Sequence, residues 1–361
     1  MAIATPPPVM HVPPAPRPAS GQQLITYTSG AVRCGGQEVA PIWREPVVPN
    51  DAYAGYPNSP ALQPRTIAFR VDASGRPLGI RRVGDADGAD AQVDVESALA
   101  VWRFASGAAL SDCTVTFTPQ AYAPDQAPPR DAMRYAGLPN ISGGGINVWR
   151  SFAPAESTCE EDRPERRVMV FPRFDRIEQQ PGRLSVSFYR YDVAANGKPR
   201  NVTAMGPGDN AALEKAGAEA LRQWRFVEGE KHDGCRTFFW RGGKPLLPAP
   251  EIPASLGPDG DQCPEQGKWD RLPELAAYYP ANFRRRGIEG WAVVRFDVAP
   301  WGQVGDIEVL ASEPADAFGK SAANVIAQSH LPKSDKSRIG CVERVRFALP
   351  PAEKRIEGGA R

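Results

Sequence analysis

The stretch Phe296-x-Val298-x-x-x-Gly302 decides the reading of this 361-residue chain, because it is written twice more upstream. It occurs as Tyr191-x-Val193-x-x-x-Gly197 and as Phe69-x-Val71-x-x-x-Gly75. Two cysteines enclose each copy. The pairs are Cys34 and Cys113, Cys159 and Cys235, and Cys263 and Cys341, with separations of 79, 76 and 78 residues. From the glycine to the closing cysteine the distance is constant to within one residue. A period of roughly a hundred residues, carried by cysteine, glycine and aromatic together, indicates one folding unit present three times.

Outward from that phrase the same elements can be read in each unit. A strand comes first, with Ile67, Phe69 and Val71, or Ala292, Val294, Phe296 and Val298, alternating with their neighbours. The glycine marks the turn, most plainly at Asn196-Gly197, and a second strand returns through Val304, Ile307 and Val309. An amphipathic helix follows. Its stripe is Val95, Ala98, Leu99 and Trp102 in unit one, Leu213, Ala216, Ala220, Leu221 and Trp224 in unit two, and Phe318, Ala322, Val325 and Ile326 in unit three. The closing cysteine opens a last strand. The fold class is therefore α+β: three tandem units, each a small antiparallel sheet of about three strands packed by one or two helices.

The expected organisation is a Pro-rich spacer at 1–20, unit one at 21–120, a linker at 121–145, unit two at 146–242, a second linker at 243–260, unit three at 261–350 and a tail at 351–361. Seven prolines in the first twenty residues favour an extended polyproline segment. Within each unit the cysteines are expected to pair with each other, as Cys34–Cys113, Cys159–Cys235 and Cys263–Cys341. Each bridge closes a loop of nearly 80 residues, worth about 4–5 kcal/mol on the chain-entropy model. Buried free thiols are the alternative; zinc is disfavoured, since no CxxC or His-x-x-x-His spacing exists. Such cysteine usage points to an oxidising compartment.

With 43 basic and 42 acidic residues the net charge is +1, so no basic stripe invites nucleic acid. No apolar run approaches the roughly 20 residues that span a bilayer. Nor do the first residues form a signal peptide, so an export signal or membrane anchor is expected to be missing from the chain. The three histidines, His11, His232 and His330, stand at non-equivalent points, and neither a nucleophile elbow nor a Walker loop occurs. No catalytic residue, metal ligand or cofactor is expected. An enzyme would need a deep pocket lined by converging polar groups between domains.

Unit three carries a further pattern: Tyr279-Pro280-x-x-Phe283-x-x-x-Gly287-x-x-Gly290, running into Phe296-x-Val298-x-x-x-Gly302-x-Val304. This closely resembles the C-terminal domain of the TonB family over residues 279–349. Trp102-Arg-Phe104 and Trp224-Arg-Phe226 look like that family's helix-end phrase, while units one and two lack its Tyr-Pro and Gly-x-x-Gly.

The resemblance implies periplasmic work in a Gram-negative envelope, without catalysis. By analogy the last strand binds an extended peptide of an outer-membrane transporter by strand addition. The contact strand would be Val342 to Ala348, with Val342, Arg344, Val345, Arg346 and Phe347 as site residues and Tyr279 and Trp301 as further candidates. Arg344 and Arg346 would face away from Val345 and Phe347 and read acidic partner side chains. An inner-membrane motor would be a partner only if an anchor precedes this chain. A cell-wall-binding scaffold, with peptidoglycan as ligand and no energy transduction, is the alternative.

Two features have competing readings. Trp301 in its turn is either a partner anchor or a cover for the adjacent sheet, the second being favoured. The run Arg284-Arg285-Arg286 either meets anionic lipid headgroups or peptidoglycan or is the solvated face of a helix, the second being favoured.

Overall fold

Gly75, Gly197 and Gly302 adopt left-handed backbone, with φ of 82°, 70° and 95°, and each turn is clasped by the chain beyond the next helix. The amides of Phe104, Phe226 and Leu331 donate to the carbonyls of Gly75, Gly197 and Gly302 at 2.9, 2.8 and 3.0 Å. A Cβ on these glycines would stand 2.1, 2.2 and 2.0 Å from the carbonyl oxygens of the same three residues. Any side chain would therefore break the clasp as well as strain the turn. That contact explains why the glycine and the helix-end phrase keep a fixed spacing.

The computed structural model describes residues 21–53, 63–84, 93–138, 145–160, 162–206, 208–242, 246–256, 263 and 269–350. The Pro-rich segment 1–20 and the tail 351–361 lie outside them.

The N-terminal region holds β1 (Gln22–Ser29), β2 (Val32–Cys34), β3 (Gln37–Val39), β4 (Asn50–Tyr53), β5 (Arg65–Val71), β6 (Pro77–Arg82), the short helix α1 (Val95–Leu99) and β7 (Leu110–Tyr122). These make a seven-stranded antiparallel sheet, not the three-stranded one expected. The excess arises at β7. One side of this long strand pairs with β5; along the other run β1, from Leu24 opposite Tyr122 to Ser29 opposite Phe117, and then β2. The alternation of β1 is interrupted, since Leu24, Ile25 and Thr26 are all buried, which is why its period did not stand out.

The middle region comprises α2 (Pro129–Gly137), α3 (Gly145–Ser151), β8 (Arg166–Val168), β9 (Ser185–Val193), β10 (Pro199–Ala204), α4 (Ala211–Arg222), β11 (Arg225–Phe226) and β12 (His232–Arg241). Its main sheet has the order β10-β9-β12. Helix α4 covers one face, through Leu213, Ala220 and Leu221 on Tyr189, Tyr191 and Phe239. The other face, with Val186, Phe188 and Phe238, lies under α2 and α3. Residues 129–137 were expected as linker and are helix instead. Pro129 opens α2 where a missing N–H costs nothing, and Ala132, Tyr135 and Ala136 make a buried stripe. Trp102 and Trp224 are core residues as expected, but each lies just past its helix, donating its indole N–H to the carbonyls of Glu45 and Val170 at 3.0 and 2.8 Å.

The C-terminal region has α5 (Leu275–Tyr278), α6 (Ala281–Arg286), β13 (Gly290–Val298), β14 (Val304–Glu313), α7 (Asp316–Ala327) and β15 (Arg338–Phe347), with sheet order β14-β13-β15. The α+β class with antiparallel sheets holds, the main sheets of the middle and C-terminal regions being three-stranded. Disulfides join Cys34 to Cys113, Cys159 to Cys235 and Cys263 to Cys341.

The regions are not separate beads. Val71, Ile80 and Leu99 share one apolar cluster with Phe283, Ala315 and Phe318. Edge strand β6 meets the chain after β14, where Ile80 donates its amide to the Pro314 carbonyl at 2.9 Å. Beside it Glu313 accepts from the Gly79 amide at 2.7 Å and from Arg70 at 2.5 Å. The middle region joins through Leu24 and Val48, which pack with Tyr135 and Trp149, and through Arg183, whose guanidinium lies 3.5 Å from the Trp43 ring centre.

Candidate partner-binding edge

Among the described strands β15 has a ladder partner on one side only, and Cys263 is tied to it through Cys341. It pairs with β13 from Gly290 opposite Phe347 to Val298 opposite Arg338, and with no other strand among the described residues. An edge strand leaves alternate N–H and C=O groups without ladder partners, which is the requirement for accepting another strand. The corresponding side of β7 is already filled by β1 and β2. That of β12 is approached at its start by residues 157–158, where Thr158 donates its amide to the Asp233 carbonyl at 3.1 Å.

The side chains of β15 divide by face. Cys341, Val345 and Phe347 are buried toward α7. Val342 and Arg344 are half-buried and Arg346 is exposed on the other face, opposite Arg295, Val293 and Trp291 of β13. Glu343 stands on the inward face, opposite Val294, where burial pushes its carboxyl above the ordinary range.

Tyr279 is not at this surface. Its ring is buried, edge-on to Phe318 and Phe347, with centroids 6.0 and 5.7 Å away, and its hydroxyl donates to the Ile288 carbonyl at 2.8 Å. Its place is behind the edge, because a large ring is needed to bridge the start of β13 to the end of β15. Gly287 ends α6 with φ 67°, and a Cβ on Gly290 would lie 2.6 Å from both the Glu313 carbonyl oxygen and the Phe318 ring. The patterned residues thus shape the edge from within.

Trp301 is 59% exposed, so it does not cover the sheet as favoured from sequence. Its indole reaches only to the Gln303 side chain at 3.1 Å. The turn that bears it lies at the end of the sheet where Val298 pairs with Arg338, the end that also exposes Ile339.

Residues 276–349 match the family of the Gram-negative bacterial TonB protein C-terminal. This part of the chain is similar to a TonB C-terminal domain. No curated protein matches the chain. TonB C-terminal domains are envelope-associated, non-catalytic interaction domains that engage outer-membrane proteins. The matched residues run from α5 through β15, so they include the open edge and the aromatic cluster behind it. Among the described residues no helix is long and apolar enough to cross a membrane.

What the sequence reading missed is a buried ionic node that anchors the C-terminal region to the rest. Arg286 is wholly buried, not solvated. Its guanidinium donates to Asp94 (Nε to Oδ1, 3.0 Å), to Glu45 at 2.9 Å and to the Pro46 carbonyl at 3.0 Å. Arg285, nearly buried, adds a 3.0 Å ion pair with Asp94. Burial alone would raise the Asp94 carboxyl; Arg286 and Arg285 hold it well below the usual carboxylate range. Glu45 also accepts the Leu184 amide at 3.3 Å and lies 3.7 Å from Arg134, which pairs in turn with Asp209. The only hint in the sequence was the triple arginine itself. Its position at the last turn of α6, where Phe283 must face the core, carries Arg286 inward.

Proposed function

We propose that this is an envelope protein-interaction protein that takes an extended peptide of an outer-membrane transporter as a fourth strand on β15. The observation that carries the reading is the asymmetry of edges. The side of β7 equivalent to the open side of β15 is occupied by the chain's own β1 and β2, so strand addition is a pairing this sheet geometry already accommodates. Backbone groups from Val342 to Ala348 supply affinity, and Arg346, with Arg344, favours acidic side chains on the peptide. Trp301 and Ile339 offer apolar contact at the far end.

In this reading the three sheet-and-helix assemblies are copies of one module, at about 21–120, 146–242 and 261–350. The first two are a rigid platform that presents the third. The shared glycine clasp supports that descent. The compartment is the periplasm, and coupling to an inner-membrane motor would require a membrane anchor.

The test is to titrate acidic, β-prone peptides from outer-membrane transporters into the isotopically labelled protein. Amide shifts confined to 342–348 and their β13 partners are expected. Shifts elsewhere with none in 342–348 would remove the assignment.

A further inference from the structure

A cleft of about 670 Å³ opens between the N-terminal and middle regions, away from β15. Its volume suits a small-molecule ligand. Three of its walls are built for charge. The first turn of α4 contributes Ala211 and Ala212, where helical N–H groups have no preceding carbonyl to bond and the helix dipole favours an anion. Asn210 caps only the Leu213 amide. Arg183 reaches the cleft flat against Trp43, with no carboxylate within ion-pair distance among the described residues. On the floor, Arg134 is 2% exposed, and its Nε and Nη2 have no hydrogen-bond acceptor.

The cleft also holds acceptors. Gln179, 9% exposed, gives its amide N–H groups to the carbonyls of Arg183 and Arg241, leaving Oε1 without a donor. Among the described residues the Glu178 carboxylate accepts only from Gln180, at 3.4 Å. The other charges are largely spent: Asp209 on Arg130 and Arg134, and Glu45 on Arg286 and Arg134. Arg44 also lines the cleft, with its guanidinium engaged by the Ser29 hydroxyl at 3.2 Å and the Trp102 ring, so a dianion would set its second charge against Glu178 with Arg183 as its main cation. A ligand with one carboxylate and its own N–H donors matches both Arg183 and these acceptors.

We propose that this cleft binds a short peptide by its free carboxyl end, the carboxylate between Arg183 and the first amides of α4 and the peptide N–H groups toward Gln179 and Glu178. The site does not depend on the reading of β15, since it uses no residue of the C-terminal sheet.

Calorimetric titration of the full chain with alanyl-alanine, alanyl-alanine amide, N-acetyl-alanine and inorganic phosphate tests this directly. Alanyl-alanine should bind saturably, with shifts at the Ala211 and Ala212 amides, and the amide should bind at least about tenfold more weakly, equivalent to one charge-assisted contact. Arg183→Gln should weaken binding about tenfold. Ala211→Pro removes one amide at a position where proline fits a helix, so weaker binding with an unchanged melting temperature is expected. Four results overturn the proposal: no saturation by alanyl-alanine at millimolar concentration, equal binding of the amide, tighter binding of phosphate, or binding that neither variant alters.

Discussion

Arg286 and Asp94 lie 192 residues apart in sequence and form a fully buried, two-pronged ion pair. The pair ties the last helix before β13 to the residue that precedes α1. It also fixes the region bearing the open edge, because Glu45, Pro46 and the Gly182 carbonyl close around the same guanidinium. Buried charges of this kind add little over an apolar packing of the same shape, but losing one partner strands the other.

Asp94→Asn and Arg286→Met should therefore each destabilise the protein by about 3–5 kcal/mol. The double variant should cost less than the sum, as expected for groups in one network. Urea unfolding of the four proteins gives the coupling. An additive double variant would mean that the pair is not a unit.

The same pair sets an acid limb. Asp94 has a folded-state pKa below its unfolded value, so its contribution is complete above about pH 4, the unfolded range, and is lost as pH falls through the folded value. Glu313 works with the opposite sign. Its pKa is raised by burial despite Arg70 and the Gly79 amide. Its contribution is therefore full below about pH 4, its unfolded range, and is lost as pH rises through the folded value. Unfolding midpoints from pH 7 to pH 3 should fall less steeply in Asp94→Asn and more steeply in Glu313→Gln.

Gly197→Ala should destabilise by at least about 2 kcal/mol, because it adds a left-handed penalty to a collision with the Phe226 carbonyl. Gly206 also has positive φ, 96°, but open space around it. Gly206→Ala should cost only about 1 kcal/mol. Thermal melts of the two variants separate strain from steric conflict.

Tyr279→Phe should cost about 1 kcal/mol, the net value of one hydrogen bond, and leave peptide titration at β15 unchanged. Tyr279→Ala should cost about 3–5 kcal/mol as a core truncation. If Tyr279→Phe abolished peptide binding at full stability, the tyrosine would be a contact residue after all.

The turn glycines, the strand alternation around Phe296 and the helix stripes were readable because each is local: a φ requirement, a period of two, a period of 3.6. The cysteine pairs were readable because each recurs at one spacing. The extra strands of the N-terminal sheet were not, since β1 buries consecutive residues and β2 to β4 are only three or four residues long. Helix α2 hid behind prolines that mark linkers and helix starts alike. Of the candidate contacts, the β15 residues could be assigned to faces from alternation, whereas Tyr279 could not be told from a surface residue without its neighbours.

Local chain chemistry by itself determined the glycine turns, the cysteine pairing and the strand that follows each closing cysteine. Tertiary structure alone decided which edges are paired: β1 and β2 close one by pairing about 90 residues ahead in the chain, and among the described strands β15 pairs with β13 alone. It also decided that Arg285 and Arg286 turn inward while Arg284 stays exposed. Both outcomes depend on which distant backbone groups and carboxylates come within hydrogen-bond reach, and no local pattern of side chains encodes that distance.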